Sequence, residues 1–587
     1  MTKPNRRELL TRRPSFVPPK AGRSPASYDE PVMLLSPDTL DRYNARVLDP
    51  AASIKVVGQD NLRSTVYIAD QLLITGGIRD VAARQTMQDV AGEKGLDFRP
   101  PLEPDRRTQL RSVLADIDRQ DLSDDLPTVH TLVPKPGSTT IPDAWEILQT
   151  FRARVDADNV KADVERLGQL SDEEQVVVRA RYVAEATQDA ALNHLLFCHA
   201  NISGVPYVHG VPYVHGVPYV HGVPYVQGVP YVQGVPYESY ADPGFGGRAP
   251  VNWIGPKPSR QASISCRRPV VVVLDTGVGK HKWWDGPDAD PTIVTRGMQV
   301  NGADLGFTDP SNDPEVTGSL LNPLTGLLDS DSGHGTFIAG LIHQLCPDAN
   351  IISVRIMPSD GAVPEDELLD ALTALAARQH AAQTNGDKDN LIDVVSLSCG
   401  YYHETPDDLL FDPKLLTQLQ SLSRMGVAVV ASAGNEATYR PMYPAAFTPY
   451  PGGLVPSFDA SCTPLISVGA LNPNNSVAMF SNAGDWVACN RPGADLVSTF
   501  PQTFQGAETA DVEVTVDGTV RATIDPDDFS VGFGTWSGTS FAAPYLAGEL
   551  AQALLTKCTK DLDSCDPGDA VKRTWAAIEG CTKIVCP

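Results

Sequence analysis

A proline at every sixth position constrains this chain more than any other feature. From Gly204 to Ser239 it reads GVPYVHGVPYVHGVPYVHGVPYVQGVPYVQGVPYES, six tandem hexapeptides of which the last keeps only its first four letters. Proline has no amide hydrogen and clashes with the preceding helical turn, so this interval excludes a helix and disfavours a central strand. An extended, polyproline-like path fits, and 36 residues at ~3.1 Å each reach on the order of 110 Å. Six is divisible by both two and three, so every copy presents the same face in either extended form. The run therefore separates the chain into a part before it and a part after it.

Before it, residues 1–45 are rich in Pro, Arg and Ser without apolar periodicity and read as a flexible tail. Residues 46–200 read as a small α/β domain. Ser64–Ala69 and Leu72–Thr75 are expected as strands about an Asp70–Gln71 turn, followed by a helix over Ile78–Val90. Val129–Val133 is a further expected strand, with a helix after it over Asp143–Val155. Ser171 and Glu174 make a capping box for a long helix expected to run to about Phe197. No residue of this part falls in a recognisable reactive cluster. Residues 201–249 hold the repeat and the Gly-rich YADPGFGGRAP linker, and 250–587 form a larger α/β domain. Its apolar runs at Val270–Leu274, Ile351–Ile356, Asp393–Leu397 and Val427–Ala431 suit strands buried on both faces. Helices are expected at 335–345, 364–381, 413–425 and 541–556, and this alternation predicts a mostly parallel sheet.

With 72 acidic and 47 basic side chains the 587-residue chain carries a formal charge of −25, which repels phosphate backbones and argues against nucleic acid as a partner. No apolar run approaches the roughly 18–20 residues a membrane helix needs. Arg6 and Arg7 are followed by Thr11, Arg12, Arg13 and Pro14 rather than an apolar segment, so no export signal is read. A cytoplasmic location is expected, with secretion by a non-standard route as the weaker alternative. Of ten cysteines, four crowd the end at Cys558, Cys565, Cys581 and Cys586. Ordinary thiols, disulfides and a zinc site all stay open for them, and the absence of a CxxC pair weighs against zinc.

Three residues of the second domain carry chemistry. Asp275 follows the run VVVVL in LDTG, at the carboxyl end of an expected strand, where α/β sheets gather reactive groups. Alone it is an ordinary turn former. His334 lies between glycines in DSGHGTFIAGL, where the backbone can pass close to something. Ser540, in WSGTSFAAPYLAGEL, sits where a turn feeds an Ala-rich helix, and Pro544 is tolerated only near such a start. Alone it is an N-cap. Together they answer one need: a hydroxyl becomes a nucleophile when an imidazole takes its proton, and the imidazole needs a carboxylate behind it. The chain order Asp, His, Ser is one of three known for this constellation.

DTG, GHGT and GTSFAAP in this order resemble the three active-site motifs of the subtilisin-like serine proteases, the subtilases, over about 260–556. ASAGN at 431–435 resembles the segment that supplies the oxyanion-hole asparagine, here Asn435. VVSLSCG at 394–400 resembles the strand that pairs with an extended substrate. The resemblance implies a serine endopeptidase acting on protein or peptide substrates. Ser540 would be the nucleophile, His334 the acid/base and Asp275 the orienting carboxylate, with Ser398, Gly400, Ala433 and Gly434 framing the cleft. It implies a subtilisin-like α/β fold, a mostly parallel sheet flanked by helices, preceded here by a small α/β domain and the repeat linker. No cofactor is needed for the chemistry, and structural calcium is compatible with the family. The acidic segments KWWDGPDADP and DLGFTDPSNDPEV and the insertion at about 502–533 depart from the pattern. They read as solvated loops walling the cleft, with DVEVTVDGTVRATI as a hairpin turning at Asp517–Gly518. Cys399 stands where the family carries small or aliphatic residues. A dedicated maturation protease and a catalytically silent peptide-binding module are the alternatives.

The repeat then has three readings. It is a spacer, a set of cleavage sites with Tyr207, Tyr213, Tyr219, Tyr225, Tyr231 and Tyr237 as anchors, or a docking or metal tract using His209, His215 and His221. Cleavage there would release the first domain, which has the size and class of the prodomains subtilases commonly carry.

Overall fold

The computed structural model describes residues 35–57, 62–75, 81–99, 105–198, 247–300, 303–304, 313–318, 325–405, 414–450, 460–557 and 562–586. The repeat and residues 1–34 lie outside the described residues.

The VVVVLD run forms the middle of the larger sheet. Consecutive β-branched residues pack well on a pleated surface and resist helix, and here all six residues are buried. This strand, Val270–Asp275, is β5. The sheet also contains β6 (Val294–Arg296), β7 (Asn350–Arg355), β9 (Val394–Leu397), β11 (Ala428–Ser432), β12 (Leu465–Leu471) and β13 (Cys489–Pro492). Its order is β13-β12-β11-β9-β5-β7-β6 and every pair is parallel. Side chains alternate across β5: Val271 and Val273 meet helices α7 (His334–Leu345) and α10 (Thr539–Lys557), whereas Val270, Val272 and Leu274 meet α8 (Glu365–Asn385) and α9 (Lys414–Arg424). The expected mostly parallel, helix-flanked α/β sheet is what the structure contains.

The first part of the chain builds a second sheet from β1 (Val66–Ile74), β2 (Leu96–Arg99), β3 (Thr128–Pro134) and β4 (Ala190–Cys198), in the order β2-β3-β1-β4. Helices α2 (Val81–Glu93) and α4 (Ala144–Ala162) pack on it. Asp143 caps α4, and the Ser171–Glu174 capping box opens α5 (Asp172–Thr187). Two expectations fail here. Asp70 and Gln71 are not a turn but the middle of one nine-residue strand, with Gln71 Oε1 accepting from Asn193 Nδ2 at 2.8 Å. The helix expected to reach Phe197 ends at Thr187, and Ala190–Cys198 is a strand buried along its whole length. Residues of the expected tail also take structure: α1 (Pro37–Arg42), capped by Ser36, sets Arg42 2.5 Å from Asp360, and Tyr43 donates to Ala362 O at 3.0 Å.

Strand β4 explains how the two parts meet. Its first half pairs with β1, and its second half carries the same sheet on into the larger part of the chain. There it runs antiparallel between β8 (Ala362–Pro364) and β10 (Cys399–Gly400), both from the larger part. Phe197 is opposite Ala362 on one edge and Gly400 on the other. Helix α3 (Asp105–Asp116) adds a buried ion pair, Arg107 Nε to Asp370 Oδ1 at 2.8 Å.

The acidic insertions are less solvated than expected. Trp283 and Trp284 are 2% and 3% exposed and belong to the core, and Arg296 bonds Asp285 at 2.7 Å. The hairpin forms as Glu513–Val516 and Thr519–Ala522, with positive φ at Asp517 and Gly518. A last helix, α11 (Pro567–Cys581), packs on α10 where the sequence suggested only a cysteine-rich end. The described cysteines are all free thiols, and no described helix is long and apolar enough to cross a membrane.

Candidate active site

Asp275 is the last residue of β5 and is 1% exposed. Its Oδ1 accepts from Thr276 N at 2.8 Å, which fixes the carboxylate against its own turn. His334 opens α7, and its Nδ1 lies 2.8 Å and 3.0 Å from the two oxygens of Asp275. A carboxylate can only accept, so Nδ1 carries the hydrogen and Nε2 is left with the lone pair. Nε2 is buried and has no hydrogen-bond partner among the described residues. The helix comes this close because Gly335 has no side chain: a Cβ there would collide with Gly277 O. Burial opposes charge on His334, and the Asp275 carboxylate outweighs it, raising the imidazole above its ordinary 6.5. Phe541 and Trp536 pack on the ring with centroids 5.2 Å and 5.7 Å away.

Ser540 is the second residue of α10, fully buried at the helix's positive end. Its Oγ donates to Ser398 O at 3.4 Å, while Ser398 Oγ donates to Ser540 O at 2.9 Å, which ties the helix start to the chain between β9 and β10. Asn435 follows β11, and its Oδ1 accepts from both N and Oγ1 of Thr539 at 2.9 Å. That fixes the amide's rotation and puts Nδ2 on the side away from Thr539. Gly434 has φ +100, and its N–H donates to Thr539 Oγ1 at 3.0 Å, so the turn carrying Asn435 is bound to the residue before Ser540. Ala433 donates to Val468 O at 3.0 Å and accepts from Asn482 Nδ2 at 2.8 Å. Gly400 is in β10, facing Phe197. The structure thus brings Asp275 and His334 into contact and joins Ser540, Ser398, Thr539 and Asn435 by hydrogen bonds.

Sequence reasoning missed three groups here. Glu315, on the short helix α6 (Pro314–Thr317) inside the acidic insertion, accepts from Gly333 N at 2.7 Å and Thr336 Oγ1 at 3.1 Å. It braces both sides of His334, and burial lifts its pKa to about 8. Asp313 and Pro314 ahead of it are a cap signal that marks a helix start. Cys198, the end of β4, puts Sγ 3.9 Å from Asp275 Oδ2 and donates its N–H to Gly361 O at 2.7 Å. His194, also on β4, is buried between Glu365 Oε2 at 2.8 Å and Glu404 Oε2 at 2.9 Å. No local signal marks Cys198 or His194, since their partners lie more than 70 residues away.

Two groups of potential metal ligands occur among the described residues, His194 with His403 and Glu404, and Cys198 with Asp331 and His334. Both are buried mixed sets rather than the all-oxygen shells calcium takes.

The family model described as "Subtilase family" matches residues 267–559. The thermophilic serine proteinase of Bacillus sp. (strain AK1) is 25% identical over 310 residues, 53% of this chain and 57% of that protein. The intracellular serine protease of Paenibacillus polymyxa is 24% identical over 296 residues, 48% of this chain and 65% of its own length. The match thus spans less than two thirds of either relative. A cold-adapted subtilisin-like serine proteinase of solved structure aligns over 55% of this chain and 87% of its own, at 19% identity and a TM-score of 0.30. The matched 267–559 includes Asp275, His334, Asn435 and Ser540, and through it the chain belongs to the subtilase family.

Proposed function

We propose that the chain is a serine endopeptidase and that its first domain occupies its substrate cleft. The observation that carries this is strand β4, seated antiparallel between β8 and β10 and ending beside Asp275, which is how a protease holds an extended peptide by its main chain. The names of the two relatives, serine proteinase and serine protease, agree with the chemistry.

In the reaction, Ser540 Oγ turns from Ser398 O toward Nε2 of His334, which takes its proton as the oxygen attacks a peptide carbonyl. Asp275 keeps the hydrogen on Nδ1 and stabilises the imidazolium. Asn435 Nδ2 donates to the oxyanion, and the N-terminus of α10 adds its dipole. The imidazolium then protonates the leaving amine, and water attacks the acyl-enzyme in the same manner. Ser398, Gly400, Ala433 and Gly434 shape the wall along which the peptide lies.

The two ends of the undescribed stretch 199–246 both reach the loop before His334. Cys198 lies with Asp331, and Arg248 donates to Asp329 O and Ser332 O, each at 3.0 Å. Both described flanks of the linker are thus held beside the site, which favours self-processing within the linker over a remote tether. The test is the intact mass of fresh protein beside its Ser540→Ala variant. Loss of about the first 200–240 residues from wild type alone supports the reading. Full-length wild type that also ignores a serine-directed fluorophosphonate probe sinks it, in favour of a silent peptide-binding module.

A further inference from the structure

Cys198 and Cys399 are directly opposite one another in the β4/β10 pair, and among the described residues they are the two cysteines that a strand pair brings into register. Opposite residues of antiparallel strands point to the same face with Cβ atoms ~4.5–5.5 Å apart. A disulfide needs about 3.5–4.5 Å between the same atoms, so closure asks for roughly an ångström of approach and no change of register. Both residues are buried, at 7% and 0% exposure. One cysteine belongs to the strand that fills the cleft, the other to the strand that lines it.

We infer that Cys198 and Cys399 form a disulfide that latches β4 into the cleft, so that the enzyme is released by reduction. This regulation rests on the protease reading above, whereas the bond itself does not. Its oxidant is a small-molecule disulfide of the glutathione class. With β4 lifted, the Cys198 thiolate attacks that disulfide, giving a mixed disulfide and one free small thiol. As the strand returns, and before the pair is buried, the Cys399 thiolate attacks the Cys198 sulfur and expels the second small thiol. Two protein thiols lose two electrons, the small disulfide gains them, and the two protons end on the departing thiols. The exchange belongs to the lifted strand because burial raises both protein thiols well above their usual range and keeps them unreactive once seated. After the linker is cut, the bond keeps the first domain attached at an effective concentration in the millimolar range.

The experiment has two readouts. The Ser540→Ala chain is incubated with oxidised glutathione, alkylated, digested without reductant and mapped by mass. A peptide pair joining Cys198 to Cys399, lighter than its parts by two hydrogens and absent from Cys198→Ser, is expected. Failure to find it while other thiols of the chain oxidise overturns the inference. The wild-type chain, oxidised in the same way, is then labelled with a fluorophosphonate. Labelling is expected to rise on the order of tenfold or more with dithiothreitol, and Cys198→Ser is expected to label without it. Equal labelling with and without reductant overturns the latch even if the bond forms. No labelling of any form, including reduced Cys198→Ser, overturns the protease reading and the regulation with it, while the peptide map still decides the bond.

Discussion

Strands β4 and β5 are both buried along their entire length, and they end within 3.9 Å of each other at Cys198 and Asp275. Only one of them is legible in the sequence. VVVVLD is β-branched, bounded by turn formers and covered by helices of its own domain, so local propensity and tertiary context agree. AALNHLLFC has the composition of a helix, follows a capped helix with two residues between, and is a strand because β1, β8 and β10 provide its hydrogen bonds. Strand β5 is thus secured by the short-range code and β4 by partners from two parts of the chain. Damage to β5 should strike chemistry, and damage to β4 should strike docking.

The largest expected effect tests the β5 side. Asp275→Asn keeps the shape but can no longer hold the hydrogen on His334 Nδ1, and turnover of a peptide substrate should fall about 10⁴-fold. Its near-ultraviolet circular dichroism should match wild type. A fall below tenfold would mean that β5 does not present the working carboxylate.

On the β4 side, His194→Ala leaves Glu365 and Glu404 buried without the cation between them, a loss of about 3–5 kcal/mol. That corresponds to roughly 10²-fold to several thousand-fold weaker retention of the first domain, read by gel filtration of the reduced Ser540→Ala chain after chymotryptic nicking of the linker. The same cluster sets a pH window. Burial opposes charge on His194, and Glu404 and Glu365 overcome it, lifting its pKa from 6.5 to about 10. A raised pKa stabilises the docked form fully below pH 6.5 and is lost as pH climbs through about 10. Glu404 is also buried, but His403 and His194 hold it well below its ordinary 4.5, so its contribution is full above pH 4.5 and is lost as pH falls through that depressed value. Retention should therefore be firmest between pH 4.5 and 6.5. Retention that is flat from pH 5 to about 10.5 would mean that the His194 cluster does not hold the first domain in place.

A third substitution returns to the β5 side at smaller scale. Asn435→Ala removes one oxyanion donor and should lower turnover about 10²–10³-fold with little change in KM. A change confined to KM would make Asn435 a binding residue.

Legibility follows the same division. Motifs whose residues lie next to their own strand or helix ends, DTG, GHGT, ASAGN and GTSFAAP, pointed to Asp275 and His334, which the fold brings into contact, and to Asn435 and Ser540, which it ties together through Thr539. Groups whose meaning depends on a distant partner were invisible: Glu315 behind His334, Cys198 opposite Cys399, His194 between two glutamates. The Asp70–Gln71 pair misled for the same reason. Its polar residues looked like a turn because Asn193, the tertiary partner of Gln71, could not be seen. Trp283 and Trp284, set among acidic residues, looked solvated and are core.

The hairpin at Glu513–Ala522 is the limiting case, wholly local and almost without tertiary consequence. Asp517–Gly518 specifies its turn, and all eight of its strand residues are exposed. Legibility is therefore no measure of importance, and the smallest effect is expected here. Val516→Thr keeps β-branching and removes no buried surface, since Val516 is 47% exposed. Its effect on unfolding free energy should stay within about 0.5 kcal/mol, read from urea melts of the Ser540→Ala chain. A loss several times larger would show that the hairpin rests on something, and a protein substrate or a second copy of the chain would be the first candidates to cover Val514 and Val516, which share one face. A null result sets the hairpin apart from β4, the non-local strand on which the proposed latch rests.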